Sequence, residues 1–68
     1  MKRKSVSSSN LKSVGYEDGT LEIEFKNGRI YQYSDVPKEI YDELMTADSL
    51  GIYFNSEIRD EYDCERIN

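Results

Sequence analysis

The chain has 68 residues, 9 Lys and Arg against 14 Asp and Glu, a net charge of −5, no histidine and one cysteine, Cys64. That length allows one domain, which buries only roughly 60% of its unfolded surface, and a lone cysteine excludes an internal disulfide. With no histidine and no second cysteine a zinc site is not expected, so six tyrosines, two phenylalanines and the aliphatics must supply the packing, which dimerisation would strengthen.

The opening "MKRKSVSSSN" is basic but lacks the apolar run of a secretory signal. No stretch of about 18 apolar residues exists for a membrane span, and a free cysteine without a signal points to the cytoplasm. Residues 1–12 hold Lys2, Arg3, Lys4 and Lys12 with no acid, whereas residues 13–68 hold five bases against fourteen acids. Such a body repels a phosphate backbone, since nucleic-acid affinity draws on clustered bases. Any phosphate contact must therefore be local, through a basic arm or a pocket holding an arginine. Residues 1–6 read as a basic arm free to be flexible, at the head of a single domain covering 1–68.

"LKSVGYE" (11–17) is a strand candidate, with Gly15 weakening it or marking a bulge. "EDGT" (17–20) is a hairpin turn by composition. "LEIEFK" (21–26) is the clearest strand, because Leu21, Ile23 and Phe25 alternate with Glu22, Glu24 and Lys26. That alternation assigns Glu22 and Glu24 to a solvated face. A second turn at Asn27–Gly28 leads to a third strand, "RIYQYS".

Two loops fit "FKNGR", and they send the next strand's side chains to opposite faces. A two-residue loop at Asn27–Gly28 pairs Glu24 with Tyr31 and Glu22 with Tyr33. A three-residue loop, with Gly28 left-handed, pairs Phe25 with Arg29, Ile23 with Tyr31 and Leu21 with Tyr33. A slip of one residue flips the whole set, and the second register leaves only Ile30 on the polar face. Burying a large apolar side chain contributes roughly 1.5–3 kcal/mol, so two tyrosines outweigh one isoleucine. Tyr31 and Tyr33 are expected to point inward, offering no exposed ring for a base to stack on.

Val36-Pro37 suits a helix start, and Ile40, Tyr41, Leu44 and Met45 give it an apolar face. Ser49 can cap a second helix, along which Leu50, Phe54, Ile58 and Tyr62 step by four. Asn55 and Arg59 would share a face of that helix, where the guanidinium can grip a carboxylate or phosphate or close onto the acids that follow it. The tail from Asp63 reads as irregular. The expected fold is α+β: a three-stranded antiparallel meander followed by two helices on one face, β-β-β-α-α.

Catalytic chemistry finds no support. A nucleophile needs a base within reach; Cys64 stands between Asp63 and Glu65, which disfavour a thiolate. The carboxylate pairs Glu22/Glu24, Asp42/Glu43 and Asp60/Glu61 read as solvated, and the dispersed glycines form no phosphate loop. No cofactor is expected.

"SSSN" (7–10), "VGY" (14–16), "LEIEFKNGRIYQY" (21–33), "VP" (36–37) and "SLGIYFNSEIRDEY" (49–62) together give the chain a resemblance to the KTSC domain. This small module is named for the C-terminus of some lysyl-tRNA synthetases and also occurs alone in bacteria and phages. The resemblance places the family's motif on Tyr16, Tyr31, Tyr33, Pro37, Gly51, Phe54, Ile58 and Tyr62. Asp63 and Cys64 depart from its usual proline and aromatic. It implies the fold above, a cytoplasmic setting and a binding role, with RNA as a suggested ligand. Such a module would hold RNA or a nucleotide-like anion at Ser8, Ser9, Asn10, Ser49, Asn55 and Arg59. The alternative is a protein–protein or accessory module, including a phage-type modulator of a host protein, whose acidic surface suits a basic partner.

Overall fold

The computed structural model describes residues 1–68. Five antiparallel strands lie in chain order across one sheet: β1 (Lys4–Ser5), β2 (Leu11–Glu17), β3 (Thr20–Phe25), β4 (Ile30–Tyr33) and β5 (Cys64–Arg66). Helices α1 (Lys38–Thr46) and α2 (Leu50–Glu57) run between β4 and β5. The expected three-stranded meander followed by two helices is thus corrected at both ends. Lys4–Ser5 pairs with Val14 and Ser13, and Cys64–Arg66 returns beside Tyr31–Tyr33. What holds β5 is backbone and amide bonding: Ile67 N–H donates to the Ile30 carbonyl at 2.9 Å, and the Asn68 amide donates to the Gly28 carbonyl at 2.7 Å.

The two hairpins follow from their turns. Asp18 and Gly19 both have positive φ, 49° and 83°, so Glu17 pairs directly with Thr20. At the second turn Gly28 has φ 91°, the Gly28 N–H donates to the Phe25 carbonyl, and the Phe25 N–H donates to the Arg29 carbonyl. That is the three-residue loop. Ile23 faces Tyr31 and Leu21 faces Tyr33, which is only 3% exposed. Register and burial agree because the other pairing would have left two aromatics among carboxylates.

One sheet face carries Leu11, Val14, Leu21, Ile23 and Tyr33, closed over by Leu44, Phe54 and Ile58 from the helical side. Tyr16 belongs to this face too, its ring stacked on Tyr41 at 5.2 Å and its hydroxyl donating to the Val36 carbonyl at 2.6 Å. Pro37 is the residue before α1 rather than its first residue. Ser49 caps α2, its oxygen accepting from the Ile52 N–H at 3.2 Å. The helix stops at Glu57, earlier than the four-residue stepping suggests. Ile58 leaves it at φ −123° yet remains fully buried, and Tyr62 packs half-buried beyond it. The apolar spacing continues because the core continues, not because the helix does.

The opposite face is not simply solvated. Glu22, expected on a wet face, is only 4% exposed. Arg3 lies over it, bonding the Glu22 carboxylate, donating to Ser13 Oγ at 2.9 Å and approaching Glu24 at 3.7 Å. Gln32 donates to Glu22 Oε1 at 2.8 Å. Burial alone would raise the Glu22 pKa, but the Gln32 and Arg3 bonds and the Arg3 charge outweigh it and hold the carboxyl below its usual range. Gly15 explains how the N-terminal segment comes so close. A Cβ there would sit 2.6 Å from the Lys2 carbonyl oxygen, so only glycine admits that strand. The irregularity of β2 lies elsewhere, between Leu11 and Ser13.

Candidate functional site

Where β3, β4 and α2 meet, the aromatic face is not fully roofed. Phe25, Tyr31, Tyr33 and Phe54 form a floor of edge-to-face pairs, with Phe25 5.9 Å from Tyr31, Phe25 5.5 Å from Phe54 and Tyr33 5.6 Å from Phe54. Tyr33 and Phe54 are buried, whereas Phe25 and Tyr31 are half-buried and reach the opening. Above this floor lies an open cleft of about 560 Å³, rimmed by Asn10, Asn27, Arg29, Asn55, Arg59 and Cys64. The inward register therefore does not remove every ring from solvent, since the helices cover Tyr33 but stop short of Tyr31. The expectation that no ring would be offered to a base is corrected here.

Each rim residue has its own support. Asn27 and Arg29 come from the second hairpin, where Asn27 Oδ1 accepts the Arg29 N–H at 2.9 Å. Asn10 precedes β2, and its carbonyl accepts the Lys26 N–H at 2.9 Å, which ties the two loops together. Its side chain lies against α2, where a Cβ on buried Gly51 would come within 2.7 Å of Asn10 Oδ1. Asn55 is on α2 and Arg59 just beyond it, so the two do not share a helix face. They nevertheless line the same cleft.

Of the residues proposed from sequence, Asn10, Asn55 and Arg59 converge there. Ser8 supports them at one remove: its hydroxyl donates to Asn10 Oδ1 at 3.2 Å and accepts from the Leu11 N–H at 3.3 Å. Ser49 is occupied as the α2 cap, and Ser9 is exposed outside the cleft lining. Sequence reasoning missed Asn27, Arg29 and the accessible ring of Tyr31. The signal was present in the hairpin register, which pairs Arg29 with Phe25 and so sets Arg29 on the face of Tyr31 and Tyr33.

The electrostatics of the cleft run against those of the chain. Two arginines and no carboxylate line it, in a protein of net charge −5. The ion pairs of the chain engage Arg3, Lys12, Lys38 and Arg59, leaving Arg29 unpaired. Arg59 reaches only its neighbour Asp60, at 3.5 Å on an exposed surface, and such pairs contribute about 0–1 kcal/mol. Tyr33 stays protonated, since burial, with Cys64 and Tyr31 beside it, pushes its hydroxyl far above the ordinary phenol value. No lining side chain can serve Cys64 as a base, and no cluster of three or more His, Cys, Asp or Glu converges to hold a metal. No helix is long and apolar enough to cross a membrane. Outside the cleft, Tyr53 donates to Glu43 at 2.7 Å, and partial burial with that bond pushes its hydroxyl up to about 12.

A sheet packed on one side by two helices, with an open aromatic cleft, is the architecture of a small α+β module. The model of the KTSC domain matches residues 7–62, and the chain belongs to that family. It is 38% identical to a KTSC domain protein from Yersinia pestis whose crystal structure superposes with a TM-score of 0.92, covering 98% of this chain and 97% of that one. An uncharacterised protein of Stutzerimonas stutzeri is 44% identical over 64 residues, spanning 91% of this chain and 90% of its own length. A lysine–tRNA ligase of Nostoc punctiforme is 36% identical over 60 residues, which are 85% of this chain but 11% of the ligase.

Proposed function

We propose that the cleft binds a phosphorylated planar ligand, one nucleotide at a time, whether free or as a unit of a single-stranded RNA. The observation that carries this reading is the pairing of two arginines, with no carboxylate, above rings that reach solvent. Arginine forks match phosphate oxygens, and stacking on an aromatic ring stabilises by about 1–3 kcal/mol per base. The acid-rich remainder confines this affinity to the cleft, because a strand leaving it meets like charge. The relatives supply a chemical context, since one of them is by name a ligase acting on tRNA. The reading supposes a cytoplasmic setting, where both ligand sources are present.

The test is a titration of the purified chain with mononucleotides and with short single-stranded RNA pools across salt concentrations. Each phosphate neutralised on a single strand contributes a slope of about −0.7 in log K against log salt. A single phosphate held in the cleft thus gives a slope of about −0.7 rather than the steeper one of a long track. Arg59→Ala should weaken binding in either arm. Equal affinity for free nucleotide and RNA identifies the free nucleotide as sufficient, while affinity for RNA alone assigns the strand. A salt-independent absence of binding in both arms overturns the proposal.

A second reading is favoured by one observation: in the Nostoc ligase the matching segment is a small part of a much larger chain. The same fold would then serve as an accessory module docking on a basic protein surface. Binding of a basic partner that survives Arg59→Ala, in the absence of any nucleotide affinity, supports this alternative.

A further inference from the structure

Arg29 and Arg59 line one cleft but enter it from different ends. Arg29 stands just before β4, where its carbonyl accepts the Phe25 N–H at 2.9 Å. Tyr33 closes that strand and pairs with Cys64, about 13 Å of extended chain further on. Arg59 belongs to this far end. The chain beyond it returns to β4 there, the Asp63 carbonyl accepting the Ser34 N–H at 2.9 Å. Burial raises the pKa of the Tyr33 hydroxyl most, and the charge of Arg59 is close enough to oppose it. Tyr31 lies between the ends, on the same strand face as Arg29 and Tyr33, with its ring half-buried at the opening. Neither guanidinium is held by a buried acid: Arg29 has no ion pair, and Arg59 has only exposed Asp60, at 3.5 Å.

Resting on the nucleotide reading above, we infer that the ligand is a nucleoside with phosphate on both its 5′ and 3′ oxygens, one phosphate at each arginine and the base on Tyr31. An internal unit of a single strand has this form, and so does a free 3′,5′-bisphosphate. A guanidinium fork is satisfied by two oxygens of one phosphate. Two forks at opposite ends of the cleft therefore match two phosphates separated by a sugar. Linked anchors reinforce each other only where the ligand spans both sites. A 5′-diphosphate carries as many phosphates, but on one side of the sugar, where a single arginine stands.

The experiment is calorimetric titration of the full chain with AMP, ADP, adenosine 3′,5′-bisphosphate and the trinucleotide ApApA. The bisphosphate should bind more tightly than AMP by about 10- to 150-fold, the range of a hydrogen bond to a charged group. ADP, the control for added charge, should stay close to AMP. Arg29→Ala and Arg59→Ala should each remove the advantage of the bisphosphate, with thermal melts to check that both variants are folded. ApApA holds the same pair of phosphates as diesters. Binding of it that both substitutions weaken assigns the ligand to a strand, and no binding of it assigns the free bisphosphate. ADP matching the bisphosphate, or the bisphosphate binding no tighter than AMP, overturns the two-phosphate inference and keeps the nucleotide site. Failure of every ligand to bind overturns both.

Discussion

Arg3→Ala tests the least expected part of the fold, the charged seam on the sheet face away from the helices. The substitution removes the guanidinium that bonds Glu22, donates to Ser13 at 2.9 Å and neighbours Glu24 at 3.7 Å. Glu22 then keeps only the Gln32 amide, 2.8 Å away, while its side chain remains 6% exposed. Removing one partner of a fully buried pair costs about 3–5 kcal/mol. Arg3 is 26% exposed, so water partly replaces it, and about 2 kcal/mol is the expected loss. A chain of this length has a total stability of roughly 3–10 kcal/mol, and a loss of that size lowers Tm by roughly 8–16 °C.

Thermal and urea unfolding followed by circular dichroism measure this directly, and the pH dependence adds a sign. Glu22 is held below its ordinary 4.5 in the folded chain, so its contribution is present above that value and lost as pH falls through the folded pKa. Arg3→Ala should therefore flatten the acid side of the stability profile. Adding Glu22→Gln to Arg3→Ala should recover part of the loss, since no buried charge is then left unpaired. A Tm change under 2 °C with an unaltered acid profile would refute this view of the seam.

Gly15→Ala should cost about 1–3 kcal/mol, because its Cβ meets the Lys2 backbone oxygen at 2.6 Å; proteolysis of the N-terminal segment should rise with it. Gly51→Ala should differ in kind. Its Cβ meets the end of a flexible side chain, Asn10 Oδ1 at 2.7 Å, and alanine gains about 1 kcal/mol of helix propensity. Stability should change little while nucleotide affinity falls through the displaced amide. Ser49→Ala should lose about 1 kcal/mol of cap stabilisation with affinity unchanged, as melting and titration in parallel will report.

What could be read from the chain follows from which interactions leave a pattern. The second hairpin register was legible because Gly28 tolerates a left-handed turn and five large side chains align behind it. Ser49 as a cap was legible from its place before Leu50. The seam was not, because alternating glutamates look alike whether water or an arginine covers them; only the acid-free "KRK" and the bare Gly15 hinted at a partner strand. β5 left no signal at all, since "CER" has no apolar alternation and its bonds run through backbone and the Asn68 amide. The cleft was half legible. Asn55 and Arg59 stood out, but as neighbours on a helix that in fact ends at Glu57. Arg29 was overlooked because turn-flanking charge is usually solvated, although the favoured pairing had already set it beside Phe25.

The central claim, that a nucleotide occupies the cleft, is tested most directly by mapping backbone amide shifts of the labelled chain as GMP or single-stranded RNA is added. Binding there perturbs Asn27, Arg29, Tyr31, Asn55 and Arg59 together and leaves Arg3, Ser13 and Glu22 on the opposite face unmoved. Shifts confined to Glu39, Asp42 and Glu43 of α1, or none at any ligand concentration, would contradict it.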